Sequence, residues 1–167
     1  MTLTTHAVAG ALIGAVAYHN PAFAVVAAIL SHPLLDAIPH WDYSLSSGDF
    51  DENNPMENSI NTSGKKFLTD LMKIGFDFCA GLVIVAIMFR NTSWQIFAIA
   101  FICALCAIAP DPLQFVYWKT RSKIIEPFQR FHMYLHAKTK LTAWPVLGIL
   151  CQAVIILILL FCIRGVI

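Results

Sequence analysis

Apolar residues along this chain come in long runs separated by short polar breaks. The runs cover about Ala7 to Tyr18, Pro21 to Ile38, Ile74 to Phe89, Trp94 to Ala109 and Ala143 to Ile163. None keeps the strict alternation of a half-buried strand, and a run apolar on every side suits a helix surrounded by other helices or by lipid. The pattern predicts an all-α fold: an integral membrane bundle of about five helices, with a short amphipathic interfacial helix, in a single domain over residues 1–167. A full span needs about 20 residues, and only the last run reaches that length. The first two are expected to form a tight hairpin through Tyr18-His19-Asn20-Pro21. No basic segment or cleavage site accompanies the first run, so it reads as a retained helix and not a signal peptide.

Two polar stretches interrupt this pattern. Residues 44–66 are rich in Asn, Ser, Gly and acid and read as an exposed loop, with folding over a site as a lid left open. Asp49, Asp51 and Glu52 do not meet the twelve-residue calcium pattern. The second stretch, about 110–142, reads as interfacial, and Glu126-Pro127 marks the start of its amphipathic helix.

Composition agrees with a membrane protein: 58% of residues are hydrophobic and 13% charged, against roughly 45–50% and 25% in ordinary globular domains. A formal net charge of +1 gives nucleic acid binding little support. All five cysteines lie in apolar runs. Cys103 and Cys106 form a C-x-x-C without a second pair, and helix packing is the expected role. Gly10 and Gly14 have the small-x-x-x-small spacing that lets helices approach closely, and Thr4 or Thr5 is a plausible cap for the first helix.

The chemistry concentrates in Ser31-His32-Pro33-Leu34-Leu35-Asp36-Ala37-Ile38-Pro39-His40-Trp41-Asp42, where an apolar run ends in two histidines and two aspartates. If helix persists, His32 and Asp36 share a face, as two ligands of one metal would. Pro33 implies a kink or a fresh helical turn, and Pro39 an end near Ile38. His132 and His136 form an H-x-x-x-H pair on the later amphipathic helix, without the glutamate of a metalloprotease motif. Asp111 lies between Pro110 and Pro112 at the end of the fourth run, where a helix stop is expected. Asp77, inside the third run, is either a ligand or the ion-pair partner of Lys73.

Topology ties these residues together. Alternating spans put the N-terminus, the 41–66 loop and the 110–142 segment on one side, together with Lys65, Lys66, Lys73, Lys119, Arg121, Lys123, Arg130, Lys138 and Lys140. The opposite side holds Arg90 and Arg164. The positive-inside rule makes the first side cytoplasmic, in the inner membrane of the cell. His6, His32, Asp36, His40, Asp111, His132 and His136 all fall there, with Asp77 reaching it from within its helix. His19 falls opposite and is expected not to be a ligand. Five histidines and up to three carboxylates suit a two-metal site, or one metal with an elaborate outer shell. Mixed imidazole and carboxylate donors favour a divalent transition metal, Zn first and then Mn or Fe.

The Thr5-His6 to Gly10 spacing, the Ser31-His32-Pro33-Leu34-Leu35-Asp36 block, the Pro110-Asp111 turn and the His132/His136 pair resemble the membrane-bound metal-dependent hydrolase (YdjM-like) family, with the order of motifs altered. The resemblance implies that His6, His32, Asp36, Asp111, His132 and His136 are metal ligands. The expectation is a hydrolase of phosphoester bonds in a lipid or lipid-linked substrate. His32, Asp36, His132 and His136 would hold metal, with His6, Asp77 and Asp111 at a second position. His40 or Asp42 would transfer protons, and Lys119, Arg121, Lys123 and Arg130 would attract the headgroup. The alternatives are a non-catalytic metal protein, whether structural, transporting or sensing, and a scaffold whose histidines bind no metal.

Overall fold

The computed structural model describes residues 1–51, 53–137 and 141–163, with side chains of the last helix as far as Phe161. Glu52, Lys138, Lys140 and Arg164, and the side chain of Cys162, lie outside the described residues. Each of the five apolar runs forms a helix: α1 Leu3–Val16, α2 Pro21–Asp36, α3 Gly64–Phe89, α4 Trp94–Ile108 and, in chain order after two further helices, α7 Pro145–Ile163. The short helix expected from Glu126-Pro127 is α6 Glu126–Leu135, and α5 Pro110–Thr120 is the addition.

Local chemistry sets the helix ends. Thr2, not Thr4 or Thr5, caps α1 by accepting from the Thr5 amide. Asn20 accepts from the Phe23 amide at 3.2 Å at the start of α2, and Pro21 follows where an amide hydrogen would find no partner anyway. Pro33 lies within α2, and the helix runs through it to Asp36. The expected stop at Pro110-Asp111-Pro112 is instead a helix start. Ala109 keeps right-handed helical geometry, and the prolines occupy the first turn of α5, the one place in a helix that suits them. α4 and α5 thus form one apolar stretch, Trp94–Thr120; it and α3 are long and apolar enough to cross a membrane.

α1 is the packing centre. Ala7, Ala11 and Leu12 are completely buried, with Val85 and Phe89 of α3 and Ala100 and Ala104 of α4 around them. Gly10 and Gly14 permit this approach. A Cβ on Gly10 would stand 2.5 Å from the Cys103 carbonyl oxygen, and one on Gly14 would stand 2.8 Å from the Cys103 Cβ. A second apolar cluster of Ala24, Ala28, Cys103 and Ala107 locks α2 to α4. The outward faces are apolar as well: Phe76 is 79% exposed, Phe161 77%, Phe23 62% and Leu34 62%.

The 44–66 stretch is a small folded lobe, not a plain loop. Strands β1 Gly48–Asp49 and β2 Ser59–Ile60 pair antiparallel, with a 3-10 turn at Pro55–Glu57 between them. Arg121, in the left-handed region at φ 53°, donates to the carbonyl oxygens of Met56, Glu57 and Asn58. At the other edge Asp70, buried in the first turns of α3, accepts from the Ser47 amide at 2.7 Å and pairs with Lys73 at 3.2 Å.

Candidate metal centre

Antiparallel packing delivers the polar ends of several helices to one end of the bundle. His6 lies in the first turns of α1, His32 and Asp36 in the last turns of α2, Asp111 in the first turn of α5, and His132 near the end of α6. His136 caps α6, while His40 and Asp42 follow α2 in irregular chain. Two backbone bonds hold these segments together: the Ala137 amide donates to the Asp36 carbonyl at 2.8 Å, and the Leu141 amide to the His40 carbonyl at 2.9 Å.

Asp36, 2% exposed, is the hub. Its Oδ2 stands 3.1 Å from His32 Nε2 and 3.1 Å from His132 Nε2; its Oδ1 stands 3.2 Å from His6 Nε2 and 2.7 Å from the Met1 amino nitrogen. Asp111 Oδ1 approaches His32 Nε2 to 3.3 Å. The His6 and His32 rings stack at 3.8 Å between centroids, which two imidazolium ions would resist.

The fit to a metal rests on His32. Its Nδ1 lies 2.7 Å from the Ala107 carbonyl oxygen, which can only accept, so Nδ1 carries the hydrogen. In the neutral ring Nε2 then holds a lone pair facing two carboxylates; it is buried, and among the described residues it forms no hydrogen bond. A lone pair aimed at anions is repulsive unless a proton or a metal ion lies between them, and two carboxylates beside buried imidazoles offer a metal ion its donors. Donor atoms of His32, Asp36, Asp111 and His132 lie within 4.8 Å of one another, which suits convergence on a single ion with bonds of about 2.0–2.2 Å. The carbonyl behind His32 is the outer partner that ligating imidazoles usually have. Asp36, His40 and His136 form a second group of the same kind.

Outside the helices, burial and neighbouring charges set the state of each group. Burial pushes the His136 imidazolium toward its neutral state. Asp42 would be raised by burial, but the Met1 ammonium and His40 hold it well below the usual carboxylate range, so it stays ionised. The Met1 ammonium would be lowered by burial, yet Asp36 and Asp42 hold it above its ordinary value.

Other expected site residues are placed elsewhere. Asp77 accepts from the Leu3 amide at 2.7 Å and the Thr4 amide at 3.2 Å, so it serves the N-terminus of α1; Lys73 pairs with Asp70 and not with Asp77. Among the headgroup cations, Lys119 reaches the Ile60 carbonyl at 3.5 Å, Arg121 holds the 56–58 carbonyls, and Arg130 pairs with Glu126 at 2.7 Å. Lys123 is exposed. The His19 ring lies 3.8 Å from that of Tyr18, tilted by 36°, at the α1–α2 turn. His40 Nε2 stands 3.0 Å from Asp42 Oδ2 and 3.8 Å from Asp36 Oδ1, which makes it part of the donor cluster.

Two glutamines carry weight that the motifs did not. Gln152 accepts from the Thr2 amide at 3.1 Å and the Thr5 hydroxyl at 3.0 Å, and donates to the Trp41 carbonyl at 2.9 Å, joining α7 to the start of α1 and the post-α2 segment. Its signal was a lone amide in an apolar run. Gln129, one helical turn before His132, is completely buried, and among the described residues both ends of its amide are unpartnered. No protein-family model, curated protein or solved structure matches the chain.

Proposed function

We propose that this protein is a membrane-embedded metal-dependent hydrolase that cleaves phosphoester bonds in a lipid or lipid-linked substrate at the cytoplasmic membrane face. The observation that carries the metal is His32 Nε2, buried and without a hydrogen bond between Asp36 at 3.1 Å and Asp111 at 3.3 Å. Membrane embedding is supported by the two long apolar helices and by the apolar surface turned outward on α2, α3 and α7. The motif resemblance to the YdjM-like hydrolases points the same way.

His32, Asp36, Asp111 and His132 would hold a divalent transition ion, with His6 hydrogen-bonded to Asp36 behind them. Such an ion supplies Lewis acidity toward a phosphoryl oxygen and makes water a stronger acid. Asp36 and the two imidazoles fix its place, and the Ala107 carbonyl fixes the His32 ring. Asp111, 33% exposed, and Asp42, 39% exposed, form the open rim through which substrate and water would enter. An ionised Asp42 accepts a hydrogen bond from entering water and orients it. The proton-transfer role expected of His40 gives way to ligation.

The near-complete burial of His6, His32, Asp36 and His132 favours a second reading, a structural ion that staples short helices together. One experiment separates the two. The detergent-purified chain is analysed for metal and assayed for phosphate release from phospholipid and polyprenyl phosphates, beside His32→Ala and His19→Ala. Metal and activity lost together in the first variant and kept in the second support the hydrolase. Metal without activity on any phosphoester favours the staple, and absence of metal from the reloaded protein overturns both.

A further inference from the structure

The two oxygens of Asp36 face different partners, and we propose that they bridge two cations: a second position is formed by Asp36 Oδ1, His40 and His136, with Asp42 at its edge. This deepens the hydrolase reading and rests on it only through the shared Asp36. Oδ2 belongs to the first position, at 3.1 Å from both His32 Nε2 and His132 Nε2. Oδ1 has His6 Nε2 at 3.2 Å and, on the side of the second position, His40 Nε2 at 3.8 Å. Donor atoms of Asp36, His40 and His136 fall within 4.8 Å of one another.

The spacing has a simple logic. His32, Asp36 and His40 are successive fourth residues, and so are His132 and His136. The first pair is thereby divided: His32 and His132 go to Oδ2 of Asp36 and His40 to the side of Oδ1, while His136 has a donor atom within 4.8 Å of those of Asp36 and His40. The His40 ring is fixed as the His32 ring is. Its Nδ1 donates to the Ile38 carbonyl at 2.7 Å, which turns Nε2 toward the cluster.

The Met1 nitrogen marks this position. The Met1 amino nitrogen lies 2.7 Å from Asp36 Oδ1, 2.8 Å from His40 Nε2 and 3.1 Å from Asp42 Oδ1. Asp36 Oδ1, Asp42 Oδ1 and His40 Nε2 therefore converge on one point, which a metal ion would take by displacing the Met1 nitrogen. Two imidazoles with carboxylates select Zn, Mn or Fe over Mg or Ca. A carboxylate bridge suits ions about 3.5–4 Å apart, the separation at which paired metals clamp the attacking and leaving oxygens of a phosphoester. The substrate class implied is a phosphoester whose phosphoryl group spans both ions.

The test is Mn(II) binding to the full chain in detergent, read by elemental analysis and by electron paramagnetic resonance. The wild-type protein is expected to take two equivalents and to show an exchange-coupled spectrum. A His40→Ala/His136→Ala variant keeps one equivalent and gives an uncoupled spectrum. One equivalent in both proteins overturns the second position and leaves the single-ion hydrolase standing, and two uncoupled ions in the wild type overturn the bridge. No ion in either protein fails both readings. Because the wild-type spectrum decides the bridge by itself, a variant that does not fold leaves the proposal testable.

Discussion

His32 Nδ1 donates to the carbonyl oxygen of Ala107 across the α2–α4 contact at 2.7 Å. That contact consists of Ala24 and Ala28 against Cys103 and Ala107, all completely buried. Small side chains bring the two backbones close enough for an imidazole on one helix to reach a main-chain oxygen on the other. Helix packing thereby decides which nitrogen of His32 keeps its lone pair, and so whether the ring can ligate.

His32→Ala removes a ligand, and metal affinity should fall by more than the 10- to 100-fold typical of losing an outer partner. His32→Gln restores some bulk but offers only an amide and should bind nearly as weakly. Competition titration against a fluorescent chelator reads both. Wild-type affinity in His32→Ala would remove His32 from the site.

A substitution far from any donor should reach the same ring. The Cβ of Gly10→Ala would lie 2.5 Å from both the Cys103 carbonyl oxygen and the Ala107 Cβ, where backbone must move. Overpacking of this kind costs about 1–3 kcal/mol. Displacing α4 also moves the Ala107 carbonyl away from His32, so metal affinity should fall along with the melting temperature. A lowered melting temperature with unchanged affinity would uncouple the packing from the site.

The convergence of His6, His32, Asp36, Asp111, His132 and His136 at one end of the bundle was legible because alternating helices put every second polar break on the same side. The Gly10 and Gly14 spacing was legible for a similar reason: a four-residue repeat stays on one helical face. What escaped depends on three-dimensional partners. Pro110 reads as a stop, yet a proline in the first turn starts a helix equally well, and only the geometry at Ala109 decides. Asp77 reads as either a ligand or the partner of Lys73, because a charge within an apolar run invites both. Its partners, the Leu3 and Thr4 amides, are backbone groups 73 and 74 residues away and leave no mark in composition.

Asp77 should accordingly prove a stabilising residue and not a ligand. Removing its carboxylate in Asp77→Ala leaves the first amides of α1 unpaired, at a cost near that of a lost N-cap, about 0.5–2 kcal/mol. Metal stoichiometry should stay as in the wild type. Loss of an ion in Asp77→Ala, with the fold intact by circular dichroism, would return it to the ligand set.

Gln129 predicts a change of opposite sign. Its amide is completely buried with neither end paired, a condition that costs about 1–3 kcal/mol. Gln129→Met keeps much of the shape and removes the unpaired groups, so the melting temperature should rise. A fall would mean that the amide has a partner in the working protein, such as substrate or ordered water. A rise together with lost phosphoesterase activity would identify Gln129 as a residue that sacrifices stability to hold substrate.

Metal binding should weaken as the pH falls. The ligating form of histidine is neutral, and protons compete with the ion for the same Nε2 lone pair. His32 and His132 both contribute imidazoles to the first position. When two imidazoles must each lose a proton, apparent affinity falls by up to about 100-fold per pH unit on the acid side. The carboxylates Asp36 and Asp111 add nothing to that slope while they remain ionised. Isothermal titration across neutral to mildly acidic pH, in buffers of different ionisation enthalpy, gives both the slope and the protons released per ion. A pH-independent affinity with no proton release would place the ion on carboxylates alone and remove the histidines from the metal centre.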